Sequence, residues 1–121
     1  MHKTNSSLLM DIDRLILRET KMTLTAAQKK QYRAIAHSLS PVIIVGDKGL
    51  GEGLLQELNR ALEDHELIKI KIALNDRDDR AAMIDELCQQ TKATLVQTIG
   101  KVAIILRNAE QPNPKLSNLL R

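Results

Sequence analysis

Apolar residues recur along this chain in two kinds of pattern, which alternate from one segment to the next. From Met22 onward, spacings of three and four residues, which indicate one face of a helix, occur in three segments. Those segments are Tyr32–Leu39, Leu54–Leu62 and Ala82–Cys88. Short β-branched or alternating runs, which are typical of strands, occur in four others. Those runs are Val42–Val45, Leu67–Ile72, Thr94–Ile99 and Val102–Leu106. From Met22 onward the pattern therefore predicts the order α-β-α-β-α-β-β.

Local signals place several boundaries of these elements. Thr25 and Gln28 have the spacing of a capping box, which predicts a helix start. Asp78 or Asp79 is expected to cap the third helix, and Gly100 opens a two-residue link typical of a type II′ hairpin. Strands alternating with helices imply right-handed parallel crossovers, and the hairpin adds an antiparallel strand. We predict a compact two-layer α/β domain with a mixed four-stranded sheet.

The same pattern divides the chain into three parts. Residues 1–21 form an N-terminal extension or leader, which acidic and basic residues distinguish from a signal peptide. Residues 22–107 hold the predicted domain, and no stretch is long enough to span a membrane. Residues 108–121 include Pro112 and Pro114 and predict a loose, flexible C-terminal tail.

A glycine loop joins the first strand to the second helix. Gly46-Asp47-Lys48-Gly49 fits the G-x-x-G pattern that KH modules use to clamp a nucleic-acid backbone. The helix that follows offers unpaired N–H groups, and Lys48 adds a charge, so the loop could seat a phosphate. Neither the P-loop nor the dinucleotide fingerprint is present. A strand-to-helix turn without a ligand is the alternative.

Composition narrows the chemistry further. The chain has 121 residues, a formal net charge of +3 and a pI of about 9.2, without Phe or Trp. With Tyr32 as the sole aromatic, RNA modules that stack bases on aromatic rings are disfavoured, and RNA contacts are expected through phosphates, sugars and shape. Cys88 stands alone and the three histidines lack ligand spacing. We therefore predict no catalytic residues, no metal and no cofactor.

Basic residues cluster on two predicted surfaces. Lys29, Lys30, Arg33 and His37 occupy one arc of the first helix, and no Asp or Glu lies between Thr23 and Val45. Lys69 and Lys71 alternate with isoleucines, so they point away from the core face. Each surface suits a polyanion, although plain solvated surface is the alternative.

Several separate segments resemble the bacterial YhbY family of single CRM (chloroplast RNA splicing and ribosome maturation) domains. The matching residues lie between Leu24 and Arg107. They are Leu24-Thr25-x-x-Gln28-Lys29, Ala36-His37-x-Leu39-x-Pro41-Val42, Gly46-x-x-Gly49-Leu50, Ala61-Leu62-x-x-His65-Glu66-Leu67-Ile68-Lys69-Ile70-Lys71 and Val96-Gln97-x-Ile99-Gly100-Lys101, closing at Arg107. The family often has Thr or Ser where this chain has Gly51, and glycine caps a helix less well.

The resemblance implies a fold similar to the C-terminal domain of translation initiation factor three. It also implies RNA binding and association with the precursor of the large ribosomal subunit. In the family, RNA contacts are attributed to the G-x-x-G loop and nearby basic residues. These correspond to Gly46, Asp47, Lys48 and Gly49, with Lys29, Lys30 and Arg107 as basic neighbours.

The sequence thus predicts a non-enzymatic, monomeric, cytoplasmic RNA-binding protein acting in large-subunit assembly. Its partners would be large-subunit rRNA or a precursor particle, and ribosomal proteins. The predicted RNA-binding residues are Lys29, Lys30, Arg33, Gly46, Asp47, Lys48, Gly49, Lys71 and Arg107. One alternative is a basic protein-interaction adaptor on the ribosome. Another is a nucleotide-binding domain that uses the glycine loop.

Overall fold

A computed structural model describes residues 24–120, and the predicted extension at residues 1–21 lies outside them. The described chain forms three helices and four strands in the predicted order. The helices are α1 (Ala26–Ala36), α2 (Glu52–His65) and α3 (Arg77–Thr91). The strands are β1 (Pro41–Val45), β2 (Leu67–Ile72), β3 (Thr94–Ile99) and β4 (Val102–Leu106). No helix within this range combines the length and hydropathy that crossing a membrane requires.

The four strands form one mixed sheet in the order β1-β2-β4-β3. β1 runs parallel to β2, and β4 is antiparallel to both β2 and β3. Gly100 has φ +58° at the β3–β4 link, a conformation that glycine adopts without steric cost. The predicted mixed four-stranded sheet is confirmed.

One face of the sheet is covered by α2 and α3. Ile68, Ile70 and Ile72 point into this core, as their alternation predicts, and Leu58 and Leu62 of α2 are fully buried there. On α3 the buried apolar residues are Ile84 and Leu87, with Met83 and Cys88 partly buried. Ala82 is exposed, which corrects its predicted place on the apolar side of that helix. We call this side the covered face.

The other side, the α1 face, has a second core beneath α1. Ala36 packs there with Leu67, Ile104 and Leu106, and Tyr32 lies at its margin. Residues 67 and 104 alternate with the residues that face α2 and α3, so this core lies across the sheet from the first. The helix α1 is therefore a third layer, which the two-layer prediction did not include.

The helix starts differ in how they are capped. α1 begins at Thr25 with the predicted capping box, in which Thr25 and Gln28 satisfy each other's backbone N–H groups. α2 begins after Gly51, which offers no side-chain cap, as expected for glycine. The cap of α3 is Asp76, which accepts from the Asp79 N–H at 2.9 Å, because the helix starts earlier than predicted.

The segment 108–120 is anchored to the domain at Ala109, Ser117 and Asn118, so the prediction of a loose tail is wrong at these points, while residues 110–116 are exposed. The Ser117 hydroxyl is fully buried and donates to Glu66 Oε1 at 2.6 Å, and the Ala109 N–H donates to Glu66 Oε2 at 2.8 Å. The Asn118 amide donates to the Leu67 carbonyl at 2.6 Å. These bonds satisfy polar groups that burial would otherwise leave unpaired.

Candidate nucleic-acid interface

The glycine loop is a tight turn at the end of β1. The Gly49 N–H donates to the Gly46 carbonyl at 3.2 Å, and Gly49 has φ +77°, which disfavours any residue with a side chain. A Cβ atom at Gly46, Gly51 or Gly53 would meet nothing within 4 Å. The backbone at the start of α2 is therefore open to a ligand, and the Gly51 side has no cap that would compete for its N–H groups.

The charges around this loop are mixed. Lys48 is exposed, yet Asp47 lies beside it and Glu52 occupies the first turn of α2. A carboxylate in the first turn already balances part of the helix dipole. Gly49 also lies near α3, because a Cβ there would be 4.0 Å from Met83 Cε. The loop offers backbone donors and one lysine, and its electrostatic attraction for phosphate depends on cations from elsewhere.

Those cations gather on the α1 face. A groove of about 380 Å³ separates one side of α1 from the sheet, and we call it the α1 groove. Its lining consists of Lys30, Arg33, Ala34, His37, Lys69, Gln97, Ile99 and Ile104. The lining includes no acid. The fold therefore brings the predicted residues Lys30 and Arg33 together with Lys69 across the groove, while Lys29 is exposed on α1 outside this lining.

Lys71 lies on the same face, between the groove and the glycine loop. It follows Lys69 by two residues on β2, a distance of about 7 Å along a strand. Its neighbour on β1 is Ile44, which is 65% exposed and precedes Gly46 by two residues. The predicted residues Lys30, Arg33, Lys71 and Lys48 thus follow one side of the molecule from the groove to the loop.

Arg107 lies elsewhere, at the far end of the sheet. Its guanidinium donates to Asn59 Oδ1 at 2.7 Å and to the Thr91 carbonyl at 2.9 Å, with Glu63 at 3.9 Å. β4 pairs there with Leu67, whereas the loop follows the end that pairs with Ile72. Five residue steps separate those ends, or roughly 17 Å. Arg107 ties α2 to the end of α3, and this position does not make it a neighbour of the loop.

Some cations outside the groove already have partners within the described range. Arg60 pairs with Asp64 on the surface of α2, and Lys101 Nζ donates to Asn75 Oδ1 at 2.9 Å. By contrast, no ion pair or side-chain hydrogen bond within residues 24–120 engages Lys30, Arg33 or Lys69. Their charge is available to a ligand.

The groove also includes residues that the predicted RNA-binding set left out, among them Lys69, Gln97 and Ile99. Ile99 is 59% exposed although strand alternation gives no reason to single it out. Gln97 and Ile99 form the floor of the α1 groove only because α1 crosses the same face of the sheet. No local signal in the sequence specifies that crossing.

Groups suited to metal or thiol chemistry are not assembled in the described range. No three His, Cys, Asp or Glu side chains of residues 24–120 are grouped as metal ligands. Burial, with a smaller contribution from Asp85, raises the pKa of the Cys88 thiol from 9.0 to about 11. At neutral pH this group is a protonated thiol on the covered face rather than a nucleophile.

The geometry describes a small α/β domain with a glycine loop and a cationic face, and comparison with known proteins identifies its family. The sequence model of the CRS1/YhbY (CRM) domain matches residues 24–107. This chain belongs to that family.

Individual relatives agree over most of the chain. A Pseudomonas aeruginosa protein named as a probable RNA-binding protein is 57% identical over 100 residues, covering 83% of this chain and 96% of the relative. A Haemophilus influenzae RNA-binding protein is 42% identical over 94 residues, covering 78% and 95%. The solution structure of a hypothetical Staphylococcus aureus protein, described as a candidate for RNA binding, has a TM-score of 0.65 and 32% identity, covering 74% of this chain and 93% of that one.

Proposed function

We propose that this protein binds RNA of the large ribosomal subunit in the cytoplasm and acts, without catalysis, in assembly of that subunit. The glycine loop Gly46–Gly49 and the cations beside it hold the RNA backbone. Support for RNA as the ligand comes from the relatives named as RNA-binding proteins. The role in assembly of the large ribosomal subunit is suggested by the resemblance to the YhbY family.

The observation that carries the proposal is the convergence of unpaired cations on one side. Lys30 and Arg33 from α1 meet Lys69 from β2 in a groove whose lining has no acid. Lys71 extends that charge toward the open backbone at the start of α2. A chain of cations next to free N–H donors is the arrangement that phosphate-backbone binding requires.

Such a surface has a characteristic salt dependence. Each phosphate that a cation neutralises releases counterions, so affinity falls as salt rises. With about five contacts, log affinity falls by roughly 3.5 to 4.5 for each tenfold increase in salt. Because Asp47 and Glu52 lie near Lys48, most of this salt dependence is expected to come from the cations of the α1 face, including Lys71.

The test is RNA binding by the full chain across a salt series, with fragments of large-subunit rRNA as ligand. Lys30→Glu combined with Lys48→Glu reverses one charge on each part of the surface. We expect affinity to fall by about 100-fold at low salt, and the salt slope to fall by roughly 1.4 to 1.8. Circular dichroism reports whether the fold is kept.

A matched control separates this surface from net charge. Arg60→Glu combined with Lys92→Glu also reverses two exposed cations, but on the helices of the covered face. Both double variants change the formal net charge from +3 to −1, since each substitution replaces a positive charge with a negative one and lowers the net charge by two. Equal loss of binding in the two variants would contradict the proposed surface.

The ribosomal part is tested by sedimentation of cell lysates. We expect the protein in fractions that contain precursors of the large subunit, and we expect high salt or nuclease to release it. Association that survives both treatments would instead indicate a protein-interaction adaptor. Tight binding of a free nucleotide to the loop would indicate the nucleotide-binding alternative.

A further inference from the structure

The α1 groove has an apolar floor as well as cationic walls, and this combination goes beyond what backbone binding needs. Ile99 presents 59% of its surface to solvent on the floor, beside the partly buried Gln97. Lys30, Arg33 and Lys69 stand around them. A volume of about 380 Å³ lies within the range of small-ligand sites, roughly 300 to 1,000 Å³.

The chemistry of the groove selects its ligand. Unpaired cations require an anionic group, and the exposed aliphatic surface favours a flat apolar group next to it. The Gln97 side chain makes no hydrogen bond within residues 24–120, so its amide offers one acceptor and two donors to a ligand. A nucleotide combines these three features, because it has a phosphate, an apolar base face and a polar base edge.

The base must be unpaired to use such a site. In a duplex the face of each base is covered by its neighbours in the stack, and only loops, bulges and ends present a free face. Tyr32, the one aromatic residue, is packed at the margin of the α1-face core. The groove therefore offers an aliphatic surface where other RNA-binding modules use aromatic rings.

Resting on the proposed RNA-binding function, we propose that the α1 groove seats one unpaired nucleotide of the bound RNA. Its base packs on Ile99, its edge hydrogen-bonds to the Gln97 amide, and its phosphate lies between Arg33, Lys30 and Lys69. The glycine loop and Lys71 then hold the backbone on one side of this nucleotide. The protein thereby prefers RNA with an exposed loop or bulge over continuous duplex.

The test uses uncharged substitutions, which leave the electrostatic term unchanged. Ile99→Thr keeps the β-branched shape but removes apolar surface, and Gln97→Leu removes the amide. Full-length protein is titrated with an RNA hairpin that has an unpaired loop and with a duplex of equal phosphate number. We expect each variant to bind the hairpin roughly 5- to 10-fold more weakly with the same salt slope, and the duplex as wild type does.

Leu95→Thr is the matched control, since it makes a similar substitution on the same strand at a residue opposite Ile105 of the covered-face core. It is expected to leave hairpin affinity unchanged in the folded protein. A second readout is the NMR signal of the Ile99 methyl groups. A base packed on them shifts these signals by its ring current, which phosphate contacts alone do not produce.

The outcomes separate this inference from the proposed function. If the two uncharged variants bind the hairpin as wild type does, while Lys30→Glu with Lys48→Glu loses binding, the nucleotide seat is wrong and backbone binding stands. Equal weakening for hairpin and duplex would also overturn the seat. If wild type binds neither RNA, the proposed function itself fails.

Discussion

The two faces of the sheet belong to the same four strands but are covered to different extents. On the covered face, α2 and α3 enclose an aliphatic core, and Leu58 and Leu62 have no exposed surface. On the α1 face, a single helix and the segment 108–120 cover only part of the sheet, and Ile44 and Ile99 remain exposed. The larger apolar core therefore lies on one face, and the surface available to a ligand lies on the other.

This difference also explains why cations lie where they do. Lys69 and Lys71 occupy strand positions that a second complete helical layer would bury, and a buried lysine without a partner is costly. Because α1 covers only part of its face, both lysines remain near solvent. Incomplete coverage is thus a condition for having a cationic sheet face.

The largest expected effect tests where stability resides. Leu62→Ala removes a fully buried side chain from the covered face and is expected to cost about 2 to 5 kcal/mol in the free energy of unfolding. Ile44→Ala, at a position 65% exposed on the α1 face, is expected to change it by less than about 0.5 kcal/mol. Urea unfolding measures both, and similar losses would show that the sheet around Ile44 is covered as completely as the sheet around Leu62.

A smaller effect tests whether the segment 108–120 is part of the α1 face. Ser117→Ala leaves the buried Glu66 carboxylate without a 2.6 Å hydrogen bond, which is expected to cost about 1 to 3 kcal/mol. Ser38→Ala is the control, since its hydroxyl is exposed and makes only a 3.3 Å bond to Ile35. Unfolding curves that coincide for the two variants would mean that the docked segment adds nothing to stability.

The prediction that perturbs the fold least measures the reactivity of the Cys88 thiol, which reports on the burial of the covered face. Because folding raises its pKa from 9.0 to about 11, the folded protein holds about 100-fold less thiolate than the unfolded chain at neutral pH. Its reaction with a disulfide reagent is therefore expected to be slower by at least about that factor.

The same pKa shift fixes the sign of the pH dependence. The stabilisation that comes from a protonated Cys88 is complete below pH 9.0 and is lost as pH rises through about 11. The expected difference in reaction rate is tested by measuring the rate in buffer and in urea, with Cys88→Ser as the blank. A native rate equal to that of the unfolded chain would mean that this side of α3 is open to solvent.

The sequence was sufficient to predict the helices, the strands and one core, because these depend on the local spacing of apolar residues and on capping residues. The alternation of Ile68, Ile70 and Ile72 determines which face is buried, and Thr25 with Gln28 determines a helix start. It was insufficient for the docked segment, because Ser117 and Glu66 are 51 residues apart. Nothing local distinguishes a serine that will bond a buried carboxylate from one in solvent.

The site was predictable only in part, for the same physical reason. Lys30 and Arg33 share a helical arc, so their grouping was visible in the sequence. Lys69, Gln97 and Ile99 join them through the crossing of α1 over β2 and β3, which long-range packing decides. The role of Arg107 depends on Asn59 and Thr91, and charge alone could not separate a clamp between helices from an RNA contact.

The strand order has a consequence for how the protein is made. β4 lies between β2 and β3 in the sheet but is the last strand to leave the ribosome. A chain in which β4 is not yet in place therefore has two separate strand edges and an uncovered aliphatic surface, which are features of aggregation-prone intermediates. Because β2 and β3 are joined only through β4, the sheet is complete only once this last strand has inserted between them.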